Sequence, residues 1–462
     1  MSQITHLPAF KAYDVRGRIP DQLNAHMAYL IGRAYMRVIR PQGRIAVGYD
    51  IRLSSPSLRD AIIAGLQAEG AQVDNIGMCG TELIYFAAAQ SGMGGGIMVT
   101  ASHNPKDYNG LKMVREQAKP ISADTGLAEI EAVTIALMRE YPDTQPFSIQ
   151  PVQCQSVDLT DAYVDKLLSC IDISTIKPMH IVVNAGNGCA DPFFDAIAQY
   201  LPLLTFTYIN HQPDGNFPNG VPNPMLIEQQ DITSQAVMNE GADFGIAWDG
   251  DFDRCFFFDD NGQFIEGYYL VALFAEHLLK KTPNGVIVHD PRLIWSTLEN
   301  VKRLGGTAQI CKCGHSFIKE MMREHDAIYG GEMSAHHYFK DFYYCDSGML
   351  PWLYMLEILS QSKQPLSKIV TQNMQQFPCS GEQSFTVKDP KAIFDQIEDL
   401  LAEKALTIDH LDGLSMTFED WRFNLRSSNT ESVMRLNIET RADNELLIER
   451  LNAFSSLMIN QY

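Results

Sequence analysis

The chain has 462 residues, and because domains average roughly 150 residues this length suggests about three of them. Its formal net charge of −20 argues against a nucleic-acid backbone or an anionic membrane as a partner, since both attract basic surfaces. Hydrophobic residues make up 45% and charged residues 20%, which is typical of packed globular domains and excludes a largely disordered chain.

Targeting and redox signals point to the cytoplasm. No apolar run approaches the roughly 18 residues of a membrane span, and the first residues lack the basic and apolar regions of a secretory signal. Nine cysteines lie scattered between Cys79 and Cys379 without disulfide-framework spacing, which predicts reduced thiols. Cys311, Cys313 and His315 are close together, but without a second ligand pair they favour packed thiols over a zinc site.

A strand, a polar turn, a helix and a second strand follow one another three times. The predicted elements, in the order strand, helix and strand, are 44–50, 57–69 and 72–76; 180–184, 192–199 and 203–209; and 285–290, 295–304 and 307–311. Each copy predicts a right-handed βαβ unit on a mostly parallel sheet. Ligands gather at the carboxyl ends of such strands, which here carry Asp50, Asn184, Asp290 and His315.

The C-terminal residues follow a different plan. Alternating apolar and polar residues predict antiparallel strands at 413–418, 421–426 and 433–440, followed by a helix at 444–452. The predicted fold class is therefore α/β, with three related mixed α/β domains built on strand-helix-strand units and a C-terminal α+β domain, arranged around a central cleft. The expected domain bounds are 1–148, 149–255, 256–368 and 369–462.

Three carboxylates form the sharpest local signal. Asp249, Asp251 and Asp253 follow a short apolar strand, and on an extended backbone alternate residues project to the same side. Such a group repels itself unless a cation neutralises it, and carboxylate oxygens suit Mg²⁺ or Mn²⁺. An EF-hand is excluded because its sixth position would be Arg254 instead of glycine; a solvated acidic turn remains the alternative.

A serine follows another apolar strand. Ser102 and His103 lie in a polar turn, and a hydroxyl beside a divalent-metal site can accept and return a phosphoryl group. Lys112 follows shortly afterwards and could supply charge or a proton. A plain turn serine is the alternative.

Two further clusters suit a phosphorylated sugar. Glu332 and Ser334 follow a glycine pair and can hydrogen-bond sugar hydroxyls, although a capped helix start is the alternative. Arg426 ends a strand and offers a bidentate fork to a phosphate, with a solvated β-turn as the alternative. The loop that follows Arg426 is rich in polar groups that can bind phosphate oxygens: Ser428, Asn429 and Thr430.

These motifs, taken in order, resemble the α-D-phosphohexomutase family, and within it the bacterial members that act on mannose phosphates. The matching segments span nearly the whole chain: Lys-Ala-Tyr-Asp-Val-Arg-Gly at 11–17, Thr-Ala-Ser-His-Asn-Pro at 100–105, Asp-Gly-Asp-Phe-Asp-Arg at 249–254, Gly-Glu-Met-Ser at 331–334 and Arg-Ser-Ser-Asn-Thr at 426–430. Each segment is short, but the ordered set is highly specific.

The resemblance implies a role for each residue. Ser102 would carry a phosphoryl group, with His103 beside it, and one Mg²⁺ per chain would be held by Ser102 and the aspartates. Arg16 and Arg254 would steady the transferring group, while Lys112 and His315 would move protons. The remaining positions would bind the substrate: Tyr13, Glu332, Ser334, His336, Arg426, Ser428, Asn429 and Thr430.

The implied activity interconverts mannose 6-phosphate and mannose 1-phosphate through a hexose 1,6-bisphosphate, which is both intermediate and activator, and supplies GDP-mannose synthesis. A phosphoglucomutase or a dual enzyme is the alternative within the class, and a Mg²⁺-dependent sugar phosphatase is the alternative outside it. The expected partners are small hexose phosphates, with no nucleic acid and no membrane. The expected oligomeric state is a monomer or a weak homodimer.

Overall fold

The structure is a computed structural model that describes residues 5–142, 153–427 and 433–459. The expected boundary between residues 148 and 149, and the loop residues Ser428, Asn429 and Thr430, therefore lie outside the described residues. Contacts divide the chain into two compact units. The first contains residues 1–264 and 336–363, and the second contains residues 265–335 and 364–462.

The first unit begins with a six-stranded sheet of order β1-β5-β4-β2-β3-β6. Its elements are β1 (Val15–Arg18), α1 (Ala25–Ile39), β2 (Arg44–Tyr49), α2 (Ser55–Ala68), β3 (Val73–Met78), α3 (Thr81–Ala88), β4 (Met93–Val99), β5 (Tyr108–Arg115), α4 (Leu127–Glu140) and β6 (Gln155–Ser156). Strands β4, β2, β3 and β6 run parallel, whereas β5 pairs antiparallel with both β1 and β4. Helices α1 and α2 approach closely because Gly32 and Gly65 face the opposite backbone, where a Cβ at Gly65 would lie 2.1 Å from the Tyr29 carbonyl oxygen.

A second sheet in this unit has the order β11-β10-β9-β7-β8. Its elements are α5 (Thr160–Leu168), β7 (Met179–Asn184), α6 (Asp191–Ala198), β8 (Leu204–Ile209), α7 (Ile227–Glu240), β9 (Phe244–Trp248), β10 (Cys255–Phe258) and β11 (Phe264–Ile265). Strand β7 runs parallel to β8 and β9, and β10 returns antiparallel to β9. Strands β9 and β10 are buried on both faces, which matches their continuous apolar sequences.

The second unit contains the third copy of the repeat. Its elements are α8 (Gly267–Lys281), β12 (Val286–His289), α9 (Trp295–Arg303), β13 (Thr307–Ile310), α10 (His315–Glu324) and β14 (Tyr329–Gly331), with β12 parallel to both β13 and β14. The chain then contributes β15 (His337–Phe339), β16 (Cys345–Asp346) and α11 (Met349–Ser362) to the first unit.

The C-terminal part of the second unit is an antiparallel sheet of order β17-β21-β20-β19-β18. Its elements are α12 (Leu366–Gln376), β17 (Gln383–Thr386), α13 (Pro390–Leu401), β18 (Thr407–Asp409), β19 (Leu414–Thr417), β20 (Trp421–Ser427), β21 (Val433–Thr440) and α14 (Asn444–Ile459). Phe418, Trp421 and Phe423 stack in its core, with Phe454 of α14 against them. The sheet confirms the predicted antiparallel strands.

The three predicted βαβ units are confirmed, and the repeat extends one strand further than the sequence showed. The first strand of each copy, β2, β7 or β12, lies between the second strand and a third parallel strand, which gives the local orders β3-β2-β4, β8-β7-β9 and β13-β12-β14. The chain leaves the third strand at equivalent points, just before Thr100, Asp249 and Glu332. The three loops singled out for chemistry therefore occupy one topological position in three copies of one unit.

Two expectations from the sequence need correction. The segment with the three aspartates is not extended: the amide of Phe252 donates to the carbonyl of Asp249, and Phe252 has a φ of 43°. The carboxylates therefore converge around a left-handed turn and not by strand alternation. The last helix does not end at Asn452 but continues to Ile459, because Phe454 and Met458 are buried in the C-terminal core.

Candidate active site

Ser102 is buried at the turn after β4. It is 2% exposed and has a φ of 49°, a left-handed conformation that a residue with a side chain rarely adopts. Its backbone amide donates to Thr100 Oγ1 over 2.9 Å. Its hydroxyl donates to Asp249 Oδ2 over 2.6 Å and lies 3.1 Å from His103 Nδ1. The strained turn thus presents the hydroxyl to the aspartate loop.

The three aspartates form one buried cluster. Asp249, Asp251 and Asp253 are each at most 1% exposed, and one oxygen of each lies within 4.8 Å of the others. Burial raises the pKa of Asp249 to about 6, against the opposing effect of Arg254. Burial would also raise the pKa of Asp253, but Lys112 and His336 hold it well below its usual range. The three carboxylates therefore lie in unequal electrostatic surroundings.

Two cations compensate for this charge. Lys112 Nζ donates to Asp251 Oδ2 over 2.8 Å and also contacts Asp253 Oδ2. Burial would lower the pKa of Lys112, but Asp251 and Asp253 raise it above its usual value, so the side chain is an ammonium. Arg254 Nε donates to Asp249 Oδ2 over 2.9 Å. Three carboxylates therefore have two cations in direct contact.

His103 Nδ1 faces both the Ser102 hydroxyl and the guanidinium of Arg254. Its Nδ1 lies 2.6 Å from Arg254 Nη2, and burial together with the charges of Arg254 and Arg16 holds its pKa well below the usual range. A neutral imidazole can accept a proton or a hydrogen bond from a group at the serine. His103 Nδ1 thus accepts from Arg254 and lies beside the Ser102 oxygen, whose own proton is donated to Asp249.

The aspartate cluster fits a divalent cation. Asp251 Oδ1 is buried and has no hydrogen-bond partner among the described residues, and Asp253 Oδ1 has His336 Nε2 no closer than 3.7 Å, which is costly for carboxylate oxygens unless something else satisfies them. Hard carboxylate oxygens from three residues, beside a serine hydroxyl, match the preference of Mg²⁺. The residues present are therefore a suitable ligand set for this ion.

Arg16 and His336 also reach this cluster of loops. Arg16 Nη1 donates to Asn104 Oδ1 over 2.6 Å, and its Nε donates to Asp14 Oδ2 over 2.8 Å. His336 Nε2 lies 3.7 Å from Asp253 Oδ1. Tyr13 is half-buried and lies two residues before Val15, the first residue of β1, which also contains Arg16.

The second unit contains Glu332 and Ser334, predicted to bind sugar hydroxyls, and Arg426, predicted to bind phosphate. Glu332 is 3% exposed and accepts from the amide of Gly314, the residue before His315 at the start of α10. Arg426 Nη2 donates to Glu382 Oε2 over 2.9 Å, and its Nη1 lies 3.5 Å from Asp412 Oδ2.

Arg292 connects these groups, and sequence reasoning missed it. Its guanidinium lies 2.7 Å from Asp290, 3.5 Å from Glu382 and 3.5 Å from Ser334 Oγ. Arg52 was missed as well; it donates to backbone carbonyls of the serine loop. A signal was available, because Asp-x-Arg follows the first strand of both the first and the third repeat, at 50–52 and 290–292.

Thr81 is a third missed contributor. Its backbone amide donates to the carbonyl of Asp251 over 3.0 Å, and its hydroxyl contacts Asp251 Oδ2. The neighbouring Glu82 is fully buried and accepts from the amide of Gly348 over 2.8 Å, while Tyr163 donates to its other oxygen. The first residue of α3 therefore contacts the aspartate loop. Because the two segments are about 170 residues apart in the sequence, no local pattern predicts this contact.

Three family models match successive parts of the chain. They are described as "Phosphoglucomutase/phosphomannomutase, alpha/beta/alpha domain" I, II and III, and they match residues 8–138, 161–262 and 266–377. No helix among the described residues is long and apolar enough to cross a membrane.

Curated relatives match along almost the full length. "Phosphohexose mutases" of Xanthomonas campestris is 53% identical over 98% of this chain and 99% of that protein. "Phosphomannomutase" of Salmonella typhimurium is 50% identical over 98% of this chain and 100% of that protein. A phosphoglucomutase/phosphomannomutase family protein of Burkholderia thailandensis has a solved structure with a TM-score of 0.83 and 32% identity, covering 97% of this chain and 96% of that one.

The repeated α/β units, the antiparallel C-terminal sheet and these full-length relatives define an isomerase, a mutase that moves phosphoryl groups on hexoses. The chain belongs to the phosphoglucomutase/phosphomannomutase family, the α-D-phosphohexomutases.

Proposed function

We propose that this phosphohexomutase interconverts mannose 6-phosphate and mannose 1-phosphate through a phosphoserine at Ser102 and a hexose 1,6-bisphosphate intermediate. The observation that carries the proposal is the buried hydroxyl of Ser102, which donates to Asp249 inside a carboxylate cluster. A structural turn serine needs only one acceptor for its hydroxyl, whereas a phosphoryl acceptor needs both the metal-binding oxygens and the nearby cations.

The chemistry is a balanced exchange of one P–O bond for another. The bond between Ser102 Oγ and phosphorus breaks while a bond forms between phosphorus and a hydroxyl oxygen of the bound hexose monophosphate. The hydroxyl proton passes to a basic group, for which His315 is the candidate, while Lys112, which is an ammonium, can donate a proton to a sugar oxygen in the opposite direction. His103 lies next to the serine oxygen. The return step transfers the other phosphoryl group of the bisphosphate to Ser102 in the same way.

The chain's own residues stabilise charge on the transferring group. Arg254 and Arg16 supply guanidinium donors at the serine loop, and Lys112 adds an ammonium at the aspartates. When one Mg²⁺ is bound by Asp249, Asp251, Asp253 and the serine group, it neutralises further charge on the phosphoryl oxygens. Burial of this region excludes water, which protects a phosphoserine from hydrolysis.

Substrate recognition falls to other loops in this proposal. Glu332 and Ser334 bind sugar hydroxyls, with Tyr13 and His336 as further contacts to the substrate. Arg426 grips the phosphate that does not react, in either orientation of the bisphosphate. Ser428, Asn429 and Thr430 complete that grip in the proposal, although they lie outside the described residues.

The preference for mannose is supported by relatives that carry the name phosphomannomutase at 50% identity. A dual activity on glucose phosphates is the second candidate, and the 53% identical relative named "Phosphohexose mutases" favours it. The proposed setting is the cytoplasm, where the product feeds GDP-mannose synthesis, and the proposed state is a monomer or a weak homodimer activated by hexose 1,6-bisphosphate.

The test compares kcat/KM for mannose 1-phosphate and glucose 1-phosphate in one preparation, with inorganic phosphate release followed in parallel. A clear preference for mannose 1-phosphate with little phosphate release is the expected result. Equal or higher kcat/KM with glucose 1-phosphate would favour the dual activity. Phosphate release faster than isomer formation would favour a sugar phosphatase.

A further inference from the structure

Arg52 spreads its guanidinium across the backbone of the serine loop. The side chain is 1% exposed and lies in the turn between β2 and α2. Its Nη2 donates to the carbonyls of Ser102 and Asn104 over 2.8 and 2.6 Å. Its Nη1 donates to the carbonyls of Pro105 and Tyr108 over 2.7 and 3.0 Å. One side chain therefore satisfies four backbone acceptors of the loop that carries the proposed nucleophile.

Asp50 fixes the arginine in this orientation. Its Oδ1 accepts from the backbone amide of Arg52 over 3.0 Å and from Ser55 Oγ over 2.5 Å, and its Oδ2 lies 3.3 Å from Arg52 Nε. The amide of Asp50 donates to the carbonyl of Val99, the last residue of β4. The ring of Phe217 lies 5.5 Å below the guanidinium. The arginine is thus held by its own turn, by the strand that leads to the serine and by an aromatic face.

The contact with Ser102 matters because that residue is strained. Its left-handed φ does not persist unless the surroundings fix it, and a hydrogen bond to its carbonyl fixes the following peptide plane. On its other side the carbonyl faces Gly250, where a Cβ would lie 2.6 Å from the oxygen. The carbonyl is therefore held between a guanidinium and a glycine, which fixes the backbone from which the hydroxyl reaches Asp249.

The third repeat contains a related arrangement, in which the aspartate and not the arginine contacts the backbone of the loop. The amide of Arg292 donates to Asp290 Oδ1 over 2.9 Å, and Asp290 Oδ2 accepts from the amide of Met333 in the loop after β14. In the second repeat the amide of Gly186 donates to Asn184 Oδ1 over 3.0 Å. This repeat therefore has the same side-chain-to-amide hydrogen bond after its first strand, but a glycine stands where the other two repeats have the arginine. The turn after the first strand thus holds the loop after the third strand in both repeats that contain Asp-x-Arg.

We propose that Asp50 and Arg52 form a positioning element for phosphoryl transfer, setting the direction of the Ser102 hydroxyl without touching the substrate. This inference rests on the proposed function of Ser102. Lysine at position 52 keeps the charge beside Asp50 but cannot reach four carbonyls at once. Displacing a reacting group by about 1 Å can cost roughly 100-fold in rate.

The test uses Arg52→Lys, with Arg33→Lys as the matched control, because Arg33 is also a largely buried arginine paired with a carboxylate, Glu69, at 2.7 Å. Each protein is loaded with phosphate by hexose 1,6-bisphosphate, and the phosphorylated fraction is read by intact mass. Transfer to hexose monophosphate is then measured in a single turnover per phosphorylated molecule, so unfolded molecules do not contribute.

In Arg52→Lys we expect the transfer rate to fall by roughly 30- to 100-fold, with KM within about threefold of the unchanged protein. Amide hydrogen exchange across residues 102–108 should become faster in this variant and not in Arg33→Lys. A transfer rate for Arg52→Lys within about threefold of that for Arg33→Lys would overturn the proposal.

Asp50→Asn decides the matter if Arg52→Lys does not fold, because it keeps the shape of the side chain and removes only the charge. A fall in transfer of roughly 10-fold supports the positioning element, and an unchanged rate refutes it. Failure of the proposed function has a different signature: the unaltered protein would acquire no phosphate on Ser102. A protein phosphorylated on Ser102 whose Arg52→Lys variant transfers normally refutes only the positioning role.

Discussion

The hydroxyl of Ser102 donates to Asp249 Oδ2 over 2.6 Å, although the two residues lie 147 positions apart. Each residue follows the third parallel strand of its own repeat, β4 for the serine and β9 for the aspartate. Two copies of one βαβ topology therefore place the proposed phosphoryl acceptor and a proposed metal-binding carboxylate against each other. This pairing makes both side chains direct targets for substitution.

Ser102→Ala should abolish mutase activity, lowering kcat by roughly 1,000-fold or more, because no other hydroxyl occupies the position next to Asp249 among the described residues. Intact-mass measurement should find a phosphate adduct on the unchanged protein and none on the variant. The melting temperature should change little, since Asp249 keeps its bonds to Arg254.

Ser57→Ala serves as the control, since the Ser57 hydroxyl donates only to a carbonyl within its own helix turn at the surface. It should retain both activity and the phosphate adduct. Undiminished activity in Ser102→Ala, with no adduct on either protein, would exclude the phosphoserine mechanism.

Asp251→Asn should weaken Mg²⁺ binding by roughly 10-fold or more and lower kcat at any fixed Mg²⁺ concentration, because it removes one charge from the ligand set. Without metal, its melting temperature should stay within about 3 °C of the unchanged protein, because the lost contact with Lys112 is offset by weaker repulsion within the cluster. Titration calorimetry with Mg²⁺ and thermal unfolding provide the two readouts.

Asp259→Asn is the matched control, a buried carboxylate in the same sheet that accepts only from backbone amides of its own turn. Its Mg²⁺ affinity should be unchanged. A large fall in melting temperature for Asp251→Asn, with an unaltered Mg²⁺ requirement, would mark the aspartates as structural.

The sequence allowed the repeat and the C-terminal sheet to be predicted because both are local patterns. Strand β21 ends at the predicted residue, Thr440, after an uninterrupted alternation of apolar and polar residues. The aspartate turn could not be predicted, because Asp-x-Asp-x-Asp fits a strand and a turn equally well. In the structure the turn places Phe252 in the core, where its ring centroid lies 5.4 Å from that of Phe193, a residue far away in the sequence.

Arg52 shows the same limit within the site. Its sequence neighbours give it no chemical signature beyond Asp-x-Arg, and its partners are backbone carbonyls about 50 residues away. Every residue carries a backbone carbonyl, so the sequence does not indicate which carbonyls a distant side chain will bind. A side chain that acts on them becomes visible only when the fold is known.

Arg426→Gln should raise KM for the hexose phosphate by roughly 10- to 100-fold with a smaller effect on kcat, because a charge-assisted bond to phosphate contributes about 1.5–3 kcal/mol. The fold should tolerate the change, since Glu382 keeps Arg292 at 3.5 Å and Arg435 at 3.6 Å. Steady-state kinetics with mannose 1-phosphate measure both constants. Arg303→Gln, which breaks a surface pair with Glu276, should leave KM unchanged. An unaltered KM in Arg426→Gln would remove Arg426 from the phosphate grip.

Asp191 should make stability depend on pH. Burial, assisted by the charge of Asp195, raises the pKa of its carboxyl from 3.8 to about 7. Between these values the folded state holds a proton that the unfolded chain has released. The stability contributed by this group therefore falls as the pH rises through that window, and above about pH 7 the folded state bears the full cost of a buried charge.

Asp191→Asn should accordingly raise the melting temperature at pH 8 by roughly 2–6 °C and change it much less at pH 4, where the carboxyl is neutral in the folded protein. Thermal unfolding at the two pH values measures the effect. Asp161→Asn, at an exposed position on α5, should give no pH-dependent difference. Equal shifts for Asp191→Asn at pH 4 and pH 8 would show that the carboxyl is ionised in the folded protein at both values, which would contradict the raised pKa.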